Sequence, residues 1–194
     1  MRLSERTAAQ TAPLQMQRES RTPGDPGVRH IGMRDVERRA EELLRLLEAK
    51  RLKLVVAESC TAGLLSLKLS DAPGASSHFN GGFVTYTKEQ KTSALDVSPA
   101  LLREKSAVCG EVACAMAEGA LRRSTADLAA AITGVAGPEP DPDGNPVGRV
   151  CVAVARRGAR TVHLERNYDN RARDEIRACA IAETLDLLKT AIDD

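Results

Sequence analysis

One serine and one lysine stand out in this 194-residue sequence as candidates for chemistry. Ser59 follows an apolar run that reads as a buried strand, and a helix is predicted to begin at Leu64. Free backbone N–H groups at such a strand-to-helix turn carry a positive partial charge and can hold an oxyanion or a phosphate. Ser59 can therefore be a nucleophile if a base lies nearby, or it can serve only as a helix N-cap.

Lys91 is the candidate for that base. The preceding segment, Thr87-Lys88-Glu89-Gln90, fits a capping box, so Lys91 falls in the first turn of a helix. The positive end of the helix dipole favours the neutral amine there, and a neutral lysine can accept a proton from a serine hydroxyl. Spacing alone favours an ordinary lysine on a helix surface.

Other familiar catalytic patterns are not evident. The histidines, His30, His78 and His163, suggest no Ser-His-Asp triad and have no metal-ligand spacing. Neither the P-loop pattern nor the dinucleotide-binding glycine pattern occurs. The sequence therefore indicates chemistry without a metal or a cofactor. The five cysteines include no C-x-x-C pair and read as reduced thiols of a cytoplasmic protein.

Composition narrows the range of partners. A net charge of +1 and an aromatic content of 2% provide neither the positive field nor the stacking side chains typical of nucleic-acid binding. No apolar run has the length that a bilayer-crossing helix needs. The first 33 residues lack the apolar region of a secretory signal. We therefore expect neither a nucleic-acid partner nor a membrane partner.

The order of elements predicts the architecture. Residues 1–33 are polar and rich in turn-forming residues, which predicts a mobile N-terminal tail, with a targeting segment or tether as the alternative. Strands are predicted at 52–58, 81–86, 128–133, 149–155 and 160–166, and helices at 34–50, from 64, from 87, at 99–105, at 110–123 and from 173. This alternation, which closes on a hairpin and a helix, predicts one α/β domain over residues 34–194. We expect a three-layer α/β/α sandwich with a mixed sheet.

Ligands of such folds sit outside the carboxyl ends of the strands. Three loops are predicted there: residues 58–63, 86–91 and 133–148. The third is rich in Gly, Pro and Asp and must be a long surface loop, and loops of this length are often functional. A functional site is therefore expected where the three loops meet.

Four motifs together resemble the CinA C-terminal family. They are AESCTAG, SSHFNGGFVTYTKEQK, ITGVAGP and NPVG, and the resemblance runs from about residue 35 to residue 192. The characterised members of that family are nicotinamide-nucleotide amidases. They hydrolyse the carboxamide of nicotinamide mononucleotide (NMN) to nicotinate mononucleotide and ammonia. The resemblance implies a stand-alone amidase, without the molybdopterin-binding-like domain of full-length CinA, that forms a homo-oligomer.

The resemblance also implies catalytic roles for four residues. The nucleophilic serine of the family falls on Ser59 and the catalytic lysine on Lys91. Two further positions fall on Tyr86 and Thr133, which would position the dyad or the carboxamide. Thr133 has a plainer alternative role as a hydrogen bonder at the end of a strand.

Substrate binding is implied for a second set of residues. The arginine expected to bind the nucleotide phosphate falls on Arg173, with Arg171 as its competitor. Backbone N–H groups of residues 61–63 would stabilise the oxyanion, and the backbone of residues 134–137 would approach the ribose or phosphate. The implied substrate-binding residues are Glu58, Thr61, Ala62, Gly63, Gly134, Gly137 and Arg173.

Two positions depart from the family pattern. Ala62 replaces the first glycine of C-T-G-G, and a Cβ there would be strained if the position needs a positive φ. Cys109 replaces the serine of A-V-S and would donate a weaker hydrogen bond. These departures leave two alternatives to NMN deamidation: a non-catalytic nucleotide-binding homologue, and a dyad hydrolase acting on another small amide.

Overall fold

The computed structural model describes residues 31–193, so most of the expected tail at residues 1–33 lies outside the described residues. In this part of the chain the strands are β1 (Leu54–Glu58), β2 (Phe79–Val84), β3 (Leu128–Gly134), β4 (Arg149–Arg156) and β5 (Val162–Asn167). The helices are α1 (Met33–Lys50), α2 (Leu64–Asp71), α3 (Ala75–His78), α4 (Lys88–Leu95), α5 (Pro99–Lys105), α6 (Gly110–Arg122) and α7 (Arg173–Asp193).

The five strands form one mixed sheet in the order β2-β1-β3-β4-β5. Strands β2, β1 and β3 run parallel, whereas β4 and β5 are antiparallel to their neighbours and form the hairpin predicted at the RRGA turn. The predicted α/β sandwich with a mixed sheet is confirmed.

Helices cover both faces of the sheet because its central strands are apolar on both sides. Along β1, Val56 joins one buried cluster, while Val55 and Ala57 join the other, as the alternation of side chains in a strand requires. The first cluster is covered by α1, α2 and α7, and the second by α4, α5 and α6. Helix α1 contributes the apolar stripe that its spacing predicted, namely Val36, Ala40, Leu43, Leu44 and Leu47, and each is buried.

The structure differs from the predicted elements near β2. Helix α3, a single turn over Ala75–His78, was not predicted, and β2 begins at Phe79 rather than at Gly81. Glycines weaken a strand pattern, but Gly82 is required here, since a Cβ on it would lie 2.3 Å from Ser66 Oγ of α2. Gly82 thus lets α2 pack directly on the sheet.

Among residues 31–193, no helix is long and apolar enough to cross a membrane.

Candidate active site

The carboxyl ends of the three parallel strands meet at one edge of the sheet. The end of β1, Glu58, lies beside Val84 of β2 and Ile132 of β3. The chain beyond β1 is then held on both sides. Ser59 N–H donates to Ile132 O at 2.9 Å, and Thr85 N–H donates to Glu58 O at 2.8 Å. Ser59 is therefore anchored directly to the sheet at the start of its turn.

Lys91 reaches this fixed serine from α4. Its Nζ lies 2.8 Å from Ser59 Oγ and 2.8 Å from the carbonyl oxygen of Thr85. The start of α4 is capped as predicted, because Thr87 Oγ1 accepts from Gln90 N–H. The next residue, Lys91, lies on the inward face of this capped helix, and its side chain is among the largest that are fully buried.

Burial changes the protonation of Lys91. The residue is only 1% exposed, and desolvation lowers the pKa of its amine from 10.5 to about 8. The sequence attributed this neutral amine to the helix dipole, but the dominant cause in the structure is removal of the charge from water. Near neutral pH a usable fraction of Lys91 is uncharged and has a lone pair for a proton from Ser59.

The turn after Ser59 has a positive φ at position 62, the conformation in which we expected a Cβ to be strained. Ala62 has φ +50° and Gly63 has φ +95°, so two successive residues are left-handed. Ala62 N–H closes the turn by donating to Ser59 O at 3.1 Å. A left-handed residue with a Cβ costs roughly 1–2 kcal/mol relative to the right-handed form. Ala62 therefore carries the strain that a glycine would avoid.

Glu58 has a structural role at the start of α2. Its side chain is fully buried, and its two carboxylate oxygens accept from Gly63 N–H, Leu65 N–H, Ser66 N–H and Ser66 Oγ at 2.6–3.1 Å. These donors lie in the first turn of α2 or just before it. Glu58 thus caps α2 from the preceding strand, and its contact with substrate stays a prediction.

The same contacts narrow the choice of oxyanion donors. Of the three N–H groups implied by the resemblance, that of Gly63 is taken by Glu58 and that of Ala62 by Ser59 O. Within residues 31–193, the N–H of Thr61 is the one of the three without an acceptor. The Thr61 hydroxyl is also buried and without a protein partner in this part of the chain.

Thr133 and Cys109 hold one side of the site together. Thr133 Oγ1 donates to Ala107 O at 2.7 Å, which is the strand-end contact that the sequence left open. This bond ties the end of β3 to the segment before α6. Cys109 is the N-cap residue of α6, but its side chain makes no capping hydrogen bond. Because burial raises the pKa of its thiol, Cys109 stays protonated near neutral pH.

Tyr86 stands at the rim rather than beside the dyad. Successive residues of an extended chain point to opposite sides. Thr85 is buried next to Lys91, whereas Tyr86 is 58% exposed. Leu67 of α2 and Val84 of β2 are also large exposed apolar side chains. The role of Tyr86 in positioning the dyad or the carboxamide stays a prediction.

Arginines at the start of α7 reach the site loops. The Arg173 guanidinium donates to Gly137 O, so two of the implied binding residues are in contact. Arg171 instead contacts Cys179 Sγ, nearly two turns into α7, at 3.5 Å. Arg177, which the sequence did not assign, donates through Nε to Cys60 O at 2.9 Å. The i,i+4 spacing of Arg173 and Arg177 placed both on one face of the helix and was a usable signal.

Gly134 and Gly137 are required by close approaches within the protein. A Cβ on Gly134 would lie 2.8 Å from Arg149 O of β4. Gly137 has φ +87°, and a Cβ on it would meet Val147 at 2.9 Å. Gly134 therefore lets the end of β3 pack against β4, and Gly137 lets the two ends of the following loop pack on each other. A contact with ribose or phosphate remains a prediction.

The long loop at 134–148 is fastened at several points. Asp141 accepts from the backbone and side-chain N–H groups of Asn145, and Asn145 Oδ1 accepts from Arg149 at 2.9 Å. Asp143 pairs with Lys88 of α4 at 2.7 Å, so the helix that carries Lys91 is linked to the loop. The side chain of Lys88 faces partly outward, unlike that of Lys91.

Two surface cavities, of about 360 and 420 Å³, lie away from the dyad. One is lined by the end of α6 and the β4–β5 turn, and the other by the start of β2 and residues 123–125. Within residues 31–193, no group of three or more His, Cys, Asp or Glu side chains is arranged to hold a metal.

Comparison with known proteins identifies the family. Residues 36–192 match the family described as CinA C-terminal domain. The chain belongs to this CinA family. The resemblance noted in the four sequence motifs is thereby confirmed over nearly all of the described residues.

Relatives of this CinA domain are longer proteins. It is 44% identical over 145 residues to a CinA-like protein of Geobacter sulfurreducens, covering 75% of this chain and 35% of that protein. It is 42% identical over 158 residues to a CinA-like protein of Mycobacterium marinum, covering 79% and 36%. The chain thus spans about a third of the length of these curated relatives.

Solved structures agree with the fold along almost their whole length. The competence/damage inducible protein CihA from Agrobacterium tumefaciens matches with a TM-score of 0.78 at 36% identity, covering 82% of this chain and 96% of that one. A CinA superfamily protein from Escherichia coli matches with a TM-score of 0.78 at 34% identity, covering 84% and 94%.

Proposed function

We propose that this CinA domain is an amidohydrolase in which Ser59 is the nucleophile and Lys91 the base, acting on NMN. The observation that carries the proposal is the 2.8 Å separation of Lys91 Nζ and Ser59 Oγ in a site where both residues are buried. The pKa of about 8 supports it, because the amine can both accept and return a proton near neutral pH.

In the first half of the reaction the neutral Lys91 amine takes the Ser59 hydroxyl proton as Oγ attacks the carboxamide carbon. Negative charge develops on the amide oxygen, and a fixed donor there contributes about 3–4 kcal/mol by analogy with oxyanion-hole deletions. The N–H of Thr61 suits this role because it has no acceptor within residues 31–193. Lys91 then protonates the leaving nitrogen, ammonia departs, and an ester on Ser59 remains.

In the second half, water attacks the ester carbon and gives a proton to Lys91. The carbon–Oγ bond breaks, and Lys91 returns a proton to Ser59 Oγ. The products are the carboxylate and the free serine, so water and the amide are the only reactants consumed. One lysine serves as base and then acid in each half, as in other serine–lysine hydrolases.

The choice of NMN rests on the likeness of the site motifs to the nicotinamide-nucleotide amidases. Two features of this chain fit a nucleotide amide. Arg173 lies against Gly137 O at the entrance, where its guanidinium can also meet a phosphate, and Arg177 adds a second positive charge one turn along α7. The departures at Ala62 and Cys109 favour testing other small amides in parallel.

The test measures ammonia release from NMN by the purified full chain and by Ser59→Ala and Lys91→Met. Both changes should lower kcat/KM by on the order of 10⁴-fold, since each removes a member of a catalytic unit. The wild-type rate should rise with pH and level off above about 8, as Lys91 loses its proton. Lys88→Met, a change to a half-exposed lysine on the same helix, should retain activity.

The other possible outcomes distinguish the proposed function from its alternatives. Activity that survives Ser59→Ala rules out the nucleophile. No release from NMN, with release from another amide in a panel, selects a different substrate for the same dyad. No release from any amide, with NMN still bound, selects the non-catalytic nucleotide-binding homologue.

A further inference from the structure

Lys91 makes fewer hydrogen bonds than its amine can support. An ammonium has three N–H donors, and a neutral amine has two donors and a lone pair. Within residues 31–193, the hydrogen-bond partners of Nζ are Ser59 Oγ and Thr85 O. One direction around a buried nitrogen is therefore left for a group that is not part of the protein.

Thr85 has a matching deficiency. Its side chain is 1% exposed, and its hydroxyl has no hydrogen-bond partner among the described residues. A buried hydroxyl without a partner is costly, so one is normally supplied by water or ligand. The carbonyl of the same residue accepts a hydrogen bond from Lys91 Nζ, so this hydroxyl belongs to a residue in direct contact with the amine. Two residues in direct contact, one of them bonded to the nucleophile, therefore each carry a buried polar group with unused hydrogen-bonding capacity.

A single water can satisfy both groups. Buried waters are retained where two to four polar partners converge, and the remaining direction of Lys91 and the hydroxyl of Thr85 provide two. This water would lie beside the base that has to deprotonate it in the second half of the reaction. The first half needs no positioned water, because the proton that Lys91 accepts there comes from Ser59 Oγ, which is already hydrogen-bonded to Nζ.

We propose that the Thr85 hydroxyl positions the water that hydrolyses the acyl-enzyme. This inference rests on the proposed amidohydrolase function and adds a positioning residue to it. Water held by Thr85 gives one proton to neutral Lys91, and its oxygen attacks the ester carbon on Ser59. The carbon–Oγ bond breaks and Oγ takes the proton from Lys91. The acid formed releases a proton to become the carboxylate, so atoms and charge balance.

The test is Thr85→Val in the full chain with NMN as substrate. Valine keeps the branched shape and the backbone carbonyl on Lys91 but removes the hydroxyl. Hydrolysis of the ester should slow, so kcat should fall about tenfold or more, as expected for loss of a hydrogen bond to a reacting group. KM should fall in parallel and kcat/KM should stay unchanged, since the acylation step is intact. Ammonia should then appear in a burst of one equivalent per site, with the acyl adduct visible by mass spectrometry.

Two further variants separate positioning from packing. Thr85→Ser restores a hydroxyl and should recover most of kcat and lose the burst. Thr184→Val changes another buried threonine, whose hydroxyl already donates to Ala180 O within α7, and should leave all kinetic values unchanged. If Thr85→Val does not fold, Thr85→Ala provides the same readout.

The outcomes distinguish this inference from the proposed function. An active wild type with an unchanged kcat in Thr85→Val overturns the inference alone. A fall in kcat/KM without a burst also overturns it, because the defect would then lie in binding or acylation. A wild type that releases no ammonia from any amide overturns the proposed function and this inference with it.

Discussion

Two buried ionisable side chains at the same edge of the sheet are treated in opposite ways. Glu58 receives four hydrogen bonds from the start of α2 and its surroundings, enough to satisfy both carboxylate oxygens. Lys91 has two hydrogen-bond partners within residues 31–193, and its pKa is lowered to about 8 by burial. The Glu58 cap stabilises the turn that carries Ser59. The Lys91 amine, in contrast, is buried with fewer hydrogen bonds than it can form, which destabilises its charged form. A saturated buried charge is therefore typical of structure, and an undersatisfied one of function.

Glu58→Gln should have the largest effect on stability. The carboxamide replaces one acceptor oxygen with an NH₂ group, which leaves two donors near the start of α2 without acceptors. We expect the free energy of unfolding to fall by about 3 kcal/mol, as for other broken buried charge networks. Urea denaturation measures it. Glu37→Gln, at an exposed position on α1, is the control, and an equal loss there would remove the distinction.

Lys91→Met should act in the opposite direction. It removes a buried amine that is protonated at pH 7 in a site that disfavours the charge, so we expect a gain of about 2 kcal/mol at that pH. The folded form binds fewer protons than the unfolded chain between pH 8 and 10.5, so wild-type stability should rise with pH across this window. Thermal unfolding at several pH values measures both effects. A variant with the same pH slope as the wild type would contradict the assignment of the shift to Lys91.

Ala62→Gly should give the smallest change. Glycine removes the cost of a Cβ at φ +50°, partly offset by the greater freedom of glycine in the unfolded chain. We expect a gain of about 0.5–1 kcal/mol in the free energy of unfolding. The control is Ala75→Gly at the first residue of α3, which should destabilise. A loss of stability in Ala62→Gly would show that Ala62 packs usefully despite its backbone.

Hydrophobic periodicity predicted most of the helices and strands, because the residues that pack in the core recur at the period of the element that carries them. The apolar stripe from Val36 to Leu47 predicted α1, and the apolar runs predicted β1, β3 and β4. The sheet was predicted as mixed because a hairpin follows the alternating elements. What periodicity missed was the start of β2, because Phe79 and Asn80 precede two glycines that interrupt the strand pattern.

The dyad was not predictable from local spacing. Ser59 and Lys91 are 32 residues apart and meet only because β1 and β2 lie side by side. The likeness of four motifs to a family supplied the pairing. The structural role of Glu58 was missed because its donors are backbone N–H groups, which any residue type can provide. The hydrogen bond from Lys91 Nζ to Thr85 O was missed for the same reason, since its acceptor is also a backbone group.

The contact of Arg177 with Cys60 O joins groups 117 residues apart. Ribosomal synthesis makes the Ser59 turn early and α7 late, so the turn lacks one of its fastenings until nearly the whole domain has emerged. A nascent chain without α7 would therefore lack this hydrogen bond at the turn after Ser59. The turn gains it only once the last helix has packed against the rest of the domain.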